Sequence, residues 1–318
     1  MKLITFELTD GRRHLGALLA DGLRLVDFTA SSPAPWFQDM LGLIDGGEDA
    51  VGAAKELVEK PKIVHRLSAV KLCAPLIPRQ MRDFLCFEMH LRQVRANRHF
   101  FAGPSGPLNP EPLTRVDPAT VEIPAIWYKE PIYYKCNRFS VIGTDVDVIR
   151  PSYCSVLDYE LEFGIILGKG GRNIRKEEAR DHIFGYLIFN DFSARDQQIR
   201  EIAGNLGPTK GKDFDTGNVL GPWLVTADEI ADPYNLSMVA RVNGEEWSRG
   251  NSSSMHHRFE DVLAHVSKDE TLYAGEFFGS GTVGTGCCIE VGRFFGHHDI
   301  IEIEVEGLGV LRNRVVFQ

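Results

Sequence analysis

Short runs of alternating apolar and polar residues, set apart by turn-forming pairs, dominate the chain. Residues 2–8, 14–20 and 23–28 form three such runs, with Asp10-Gly11 and Asp21-Gly22 between them. Asp-Gly between apolar runs is a hairpin signal, because both turn residues tolerate positive φ. The spacing therefore predicts a small β-meander. Over 48–59 the period changes, and Val51, Ala54, Leu57 and Val58 recur at helical spacing. Prolines at 61, 75 and 78 follow, which places a domain boundary near Pro78: a small N-terminal β-rich domain at 1–77 and a larger one at 78–318. Beyond residue 125 the pattern predicts strands at 157–167, 185–190, 223–226, 237–242, 246–249, 300–305 and 310–316, with Asn243-Gly244 turning one hairpin. Helices are expected at 193–203 and 255–266. Regular strand–helix alternation is missing, so a doubly wound sheet is excluded and the expected fold class is α+β, mainly β. Residues 103–124 are proline-rich and aperiodic, which predicts a long surface loop able to act as a lid.

A length of 318 residues suits about two domains. Acidic residues outnumber basic ones, 44 to 35, for a formal charge of -9. That balance argues against non-specific nucleic-acid binding and against an anionic membrane surface. None of the six cysteines lies in a C-x-x-C pair, and the N-terminus turns polar before a signal-peptide core develops. The expectation is a cytoplasmic protein in a reducing compartment, with no membrane partner.

Four stretches carry candidate chemistry. In the first, 157–170, a strand would put Asp158, Glu160 and Glu162 on one face and Tyr159, Leu161, Phe163, Ile165 and Leu167 on the other. A solvated acidic face is the ordinary outcome for such a strand. Three crowded carboxylates also suit a hard divalent cation. In the second, 185–202, an apolar strand ends at Asn190-Asp191, and Ser193 is placed to cap a helix with Asp196 at the capping-box position. If helical geometry begins near Asp191, then Asp191, Arg195 and Gln198 share a face; an exposed i,i+4 ion pair is the simpler alternative. In the third, 207–225, Lys210 and Lys212 sit in a glycine-rich loop and could neutralise developing negative charge. In the fourth, 81–95, Asp83 and His90 lie seven apart, on one face if the segment is helical. The pairs His256-His257 and His297-His298 lack zinc spacing and are expected at the surface.

Taken in order, D-Y-E-L-E, N-D-F-S-A-R-D-Q-Q, G-K-D-F-D-T with G-P-W-L-V, and a closing E-G-L-G-V-L-R-N-R-V resemble the fumarylacetoacetate hydrolase family over roughly residues 78–316. The resemblance implies a mixed β-roll catalytic domain and a homodimer. It implies that Glu160, Glu162 and Asp191 bind a divalent metal, Mg²⁺ first, with Mn²⁺ or Ca²⁺ also used, and that Asp83 is a further ligand. His90 matches the family's catalytic His, and Glu290 the carboxylate that orients it. Lys212, Arg195 and Gln198 match groups that stabilise oxyanions and bind a substrate carboxylate. Tyr134 and Thr216 match substrate contacts. In the acylpyruvate-cleaving branch a Glu stands where this chain has Gln93. The implied activity is hydrolysis of a carbon–carbon bond in a 1,3-dicarbonyl acid, an acylpyruvate or a fumarylacetoacetate-like compound, by His-activated water. The alternative is a lyase or isomerase of 2-oxo acids (decarboxylase, dehydratase or tautomerase) using the same metal–enolate site.

Overall fold

The computed structural model describes residues 1–97 and 116–317. Its layout follows from one strand that is buried on both faces. Leu161–Leu167 is buried at every position. Leu161, Phe163, Ile165 and Leu167 point into one hydrophobic core, and Ile166 into another. A strand wrapped on both sides must lie inside a layered structure.

Among the described residues the central sheet has twelve strands. Its spatial order runs Val64–Arg66, Arg24–Asp27, Arg13–Leu18, Lys2–Glu7, Asn218–Thr226, Ile183–Asp191, Leu161–Leu167, Phe277–Gly279, Met81–Phe84 and Tyr133–Lys135. Two short strands pair off this path. On one side, Phe259, Val262, Leu263 and Val266 of the helix Phe259–Val266 share a core with Phe163 and Ile165. Phe163 meets Phe259 edge-on, with ring centroids 5.3 Å apart. A five-stranded sheet adds Met238, Ala240, Ile301, Ile303 and Leu311 to that core. On the other side, Leu43 and Ile44 of Met40–Asp45, with Ala50, Ala54 and Leu57 of Gly47–Glu59, pack on Leu187, Phe189 and Leu224. The architecture is α+β and mainly β, as expected. The N-terminal meander continues the central sheet, with Lys2 opposite Val225 and Leu3 opposite Leu224.

Several expected elements change on inspection. The run 157–167 is broken: Leu157–Asp158 pairs with Ser193–Ala194, Glu160 bridges to Cys287, and the long strand starts only at Leu161. The acidic face is buried rather than solvated, with Asp158, Glu160 and Glu162 each at most 4% exposed. The helix expected at 193–203 starts at Arg195. Ser193 does not cap it, because its hydroxyl donates to the Asp191 carbonyl at 3.2 Å. Asp191 ends a strand, so Asp191, Arg195 and Gln198 do not share a helical face. The segment 81–95 divides into the strand Met81–Phe84 and the helix Glu88–Ala96, so Asp83 and His90 lie on different elements. His257 is buried against the Trp127 carbonyl at 2.6 Å rather than at the surface. Of the expected loop, residues 103–115 lie outside the described residues.

Candidate active site

Three segments bring four acidic side chains to one end of the central sheet. Glu160 and Glu162 come from the entry to Leu161–Leu167, Asp191 from the end of Ile183–Asp191, and Asp83 from Met81–Phe84. Backbone packing makes room for Asp83: a Cβ on Gly279 would lie 2.2 Å from its Oδ1. The N–H of Gly281 donates to the same oxygen at 3.2 Å. Gly281 has φ +75, and a Cβ there would strike the Phe84 carbonyl at 2.0 Å. Both positions therefore require glycine.

Oxygens of Asp83, Glu162 and Asp191 lie within 4.8 Å of one another. Thr282 donates to Glu162 Oε1 at 3.1 Å, and Tyr134 donates to Asp191 Oδ2 at 2.6 Å. Glu162 Oε2 and Asp191 Oδ1 are buried with no hydrogen-bond partner among the described residues. Burial and the Asp191 charge lift the Asp83 carboxyl to about 7. Burial and then Asp83 push Glu162 well above the carboxylate range. Burial lifts Asp191 to about 6 although Lys212 opposes it. Orphaned carboxylate oxygens among mutually repelling acids fit a hard divalent cation held by Asp83, Glu162 and Asp191.

Glu160 is placed differently. Arg195 Nη2 donates to its Oε1 at 2.8 Å, and Lys212 Nζ to its Oε2 at 2.7 Å. Burial would raise its pKa, but the two cations outweigh burial and hold it at about 2. Lys212 also donates to Asp191 Oδ2 at 2.7 Å and to the Asp191 carbonyl at 3.1 Å, so all three of its protons are in use. Glu160 thus borders the acidic trio through Lys212.

Arg195 opens its helix and is fixed by Asp158, whose Oδ2 accepts from Nε at 2.9 Å. Its Nη1 reaches Gln198 Oε1 at 2.7 Å. Asp158 was only a strand-face acid in the sequence, yet it has a second task. Its Oδ1 accepts from Cys288 N at 2.6 Å and its Oδ2 from Ile289 N at 3.4 Å, capping the first turn of Cys288–Val291. That turn carries Glu290. Across from it, His90 projects from Glu88–Ala96 with Nδ1 3.2 Å from Glu290 Oε1, outside hydrogen-bond geometry. Burial would lower the imidazole pKa, but the Glu290 carboxylate outweighs it and raises the pKa. Two ties hold the facing helices: Thr285 N donates to Gln93 Oε1 at 2.8 Å, and Asn97 Nδ2 donates to the Ile289 carbonyl at 2.9 Å.

The structure therefore gathers Asp83, Tyr134, Glu160, Glu162, Asp191, Arg195, Gln198 and Lys212 through direct contacts, and sets His90 against Glu290. Thr216 stands apart: its hydroxyl accepts from Ile149 N at 2.9 Å. From the sequence Asp158 was one of three crowded strand-face carboxylates suited to a cation, not a cap or an Arg195 partner, and Thr282 was given no role. Thr282 sits in the glycine-rich run eight residues before Glu290, which was the available signal.

The fumarylacetoacetate (FAA) hydrolase C-terminal domain family matches residues 81–316. An oxaloacetate tautomerase of Xenopus laevis, fahd2, named as mitochondrial, is 30% identical over 318 residues, 99% of this chain and 90% of that protein. A fumarylacetoacetate hydrolase from Exiguobacterium antarcticum superposes over 100% of both chains with TM-score 0.75 and 26% identity. A maleylpyruvate hydrolase from Sphingobium, solved with manganese(II) and pyruvate, covers 100% of this chain and 99% of its own with TM-score 0.73 at 22% identity, a likeness of fold.

Proposed function

Because this chain belongs to the fumarylacetoacetate hydrolase family, we propose that it is a metal-dependent enzyme of 2-oxo acids that moves a proton at the carbon beside the keto group, interconverting the keto and enol forms of an oxaloacetate-like dicarboxylate. The observation that carries this reading is the buried His90–Glu290 pair beside an acidic trio and two buried cations. The tautomerase of Xenopus laevis, aligned over 99% of this chain, supports it.

Asp83, Glu162 and Asp191 would hold the cation, Mg²⁺ or Mn²⁺. When bound, it polarises a keto group and lowers the cost of forming an enolate. His90 Nδ1 faces Glu290, which leaves Nε2 to take the proton from carbon and return it. Glu290 stabilises the imidazolium while the proton is held. Three of the five Arg195 N–H groups are engaged, so the other two can bind a substrate carboxylate. Lys212 adds fixed positive charge where negative charge gathers on oxygen.

A second reading is favoured by the same pair. A buried His–Glu dyad can also draw a proton from water, which supports hydrolysis of the carbon–carbon bond of a 1,3-dicarbonyl acid. One assay separates the two. Enzyme with Mg²⁺ is mixed with oxaloacetate and with an acylpyruvate, and enol absorbance and carbon products are followed. Tautomerisation speeds equilibration of oxaloacetate and releases no cleavage product. Pyruvate released from the acylpyruvate, with oxaloacetate equilibration unchanged, would make hydrolysis the activity.

A further inference from the structure

We propose that His90, Cys287 and Glu290 form a second cation site, for a borderline-soft ion of the zinc type, distinct from the acidic trio. The three donor atoms lie within 4.8 Å of one another. His90 Nδ1 and Glu290 Oε1 are 3.2 Å apart. Two ligands of a tetrahedral zinc with bonds of about 2.0–2.1 Å are separated by roughly 3.3 Å, so this edge already has the required length.

All three side chains are shielded from solvent: His90 is 5% exposed, Cys287 0%, and the Glu290 side chain 0%. His90 Nδ1 and both Glu290 carboxylate oxygens are buried with no hydrogen-bond partner among the described residues. Buried polar atoms are rarely left without partners. Among the described residues His90 Nδ1 and Glu290 Oε1 meet only each other, 3.2 Å apart and outside hydrogen-bond geometry, and Glu290 Oε2 has no partner, so an ion between them would satisfy all three. The donor chemistry selects the ion. Nitrogen, sulfur and carboxylate oxygen suit zinc, with a fourth position open, whereas Asp83, Glu162 and Asp191 offer oxygen alone and suit a hard cation.

The fold also holds the trio together. Glu290 N donates to the Cys287 carbonyl at 3.1 Å, and Asn97 Nδ2 ties the helix of His90 to the carbonyls of Ile289 and Glu290 at 2.9 and 3.2 Å. On binding, the Cys287 thiol releases its proton to solvent and the thiolate takes the cation. The cation would then occupy the His90 nitrogen that faces Glu290 and separate the base from its carboxylate. Inhibition of turnover follows; that consequence rests on the role proposed for His90, whereas the binding does not.

The test uses Co²⁺ as a spectroscopic stand-in for Zn²⁺, added to the full chain saturated with Mg²⁺. A thiolate-to-cobalt charge-transfer band should appear, saturate at one Co²⁺ per chain, and be erased by Zn²⁺. It should survive Cys288→Ser and vanish in Cys287→Ser, whose Zn²⁺ affinity should fall by at least about tenfold. If Cys287→Ser does not fold, His90→Asn removes a second ligand and should abolish the same band. No thiolate band in the folded parent, or a band that persists in Cys287→Ser, overturns the site. The spectrum needs no turnover, so failure of the proposed reaction leaves this result readable.

Discussion

At His90, burial and charge pull in opposite directions, and the charge of Glu290 wins, raising the imidazole pKa. The neutral ring is the form that accepts a proton. Activity should therefore fall with decreasing pH through a value above the ordinary ~6.5 of histidine. Glu290→Gln removes the charge, so the acid limb of the kcat/KM profile should move to lower pH while the maximum rate drops. An unmoved limb would separate Glu290 from the base. The acidic trio makes a second prediction. The folded-state values of Asp83, about 7, and Asp191, about 6, lie above those of an unfolded chain, which are near ~4. In chelator the folded form then binds more protons than the unfolded form, so this contribution to stability falls as pH rises from about 4 to about 7. Melting curves in chelator should show Tm declining over that window, and excess Mg²⁺ should restore it. Glu162→Gln replaces a carboxyl that burial and Asp83 already push toward its neutral form by a neutral amide of the same shape. It should melt no lower than the parent in chelator and lose most of the Mg²⁺-induced rise.

Among the elements, the facing helices Glu88–Ala96 and Cys288–Val291 set the dyad. Their mutual position depends on Gln93 accepting from Thr285 N and on Asn97 donating to the Ile289 and Glu290 carbonyls. Asn97→Ala should lower kcat by about 10–10² through a small misplacement of His90, and isothermal titration should find Mg²⁺ affinity unchanged. Elements like these were hard to read from sequence. Ser237–Val242 and Ile300–Val305 match their expected bounds residue for residue, because an Asn-Gly turn ends the first and a clean period of two marks the second. Met81–Phe84 and Phe277–Gly279 escaped, since short strands buried throughout show no alternation. Ser193 had the chemistry of a cap, but pairing of Ser193–Ala194 with Leu157–Asp158 kept it extended. The acidic motifs were legible as motifs. Their burial was not, because it depends on strands far apart in the sequence. The spacing of Glu160 and Glu162 could not reveal that Arg195 and Lys212 engage one of them and leave the other to Asp83 and Asp191.

Across the whole molecule, the central sheet runs without a break from the N-terminal meander to the acidic cluster. Leu3, Leu15 and Val26 of the meander share a core with Ile166 and Phe189 from strands that carry the site, and with Leu220 of Asn218–Thr226 between them. Removing residues 1–77 would strip that core and uncover an edge of Asn218–Thr226. The full chain should melt in one transition, and a chain of residues 78–318 should be aggregated or unfolded by circular dichroism. A truncated chain with the parent's Tm would make the meander an independent domain.

The central claim is that His90 carries a proton to and from the carbon beside a keto group. The direct test is exchange of the C3 protons of oxaloacetate into D₂O, followed by proton NMR with Mg²⁺ present. The parent should accelerate exchange well above the spontaneous rate, and His90→Asn should lose about 10²–10⁴ of that enhancement while binding Mg²⁺ as before. Full exchange activity in folded His90→Asn would contradict the account.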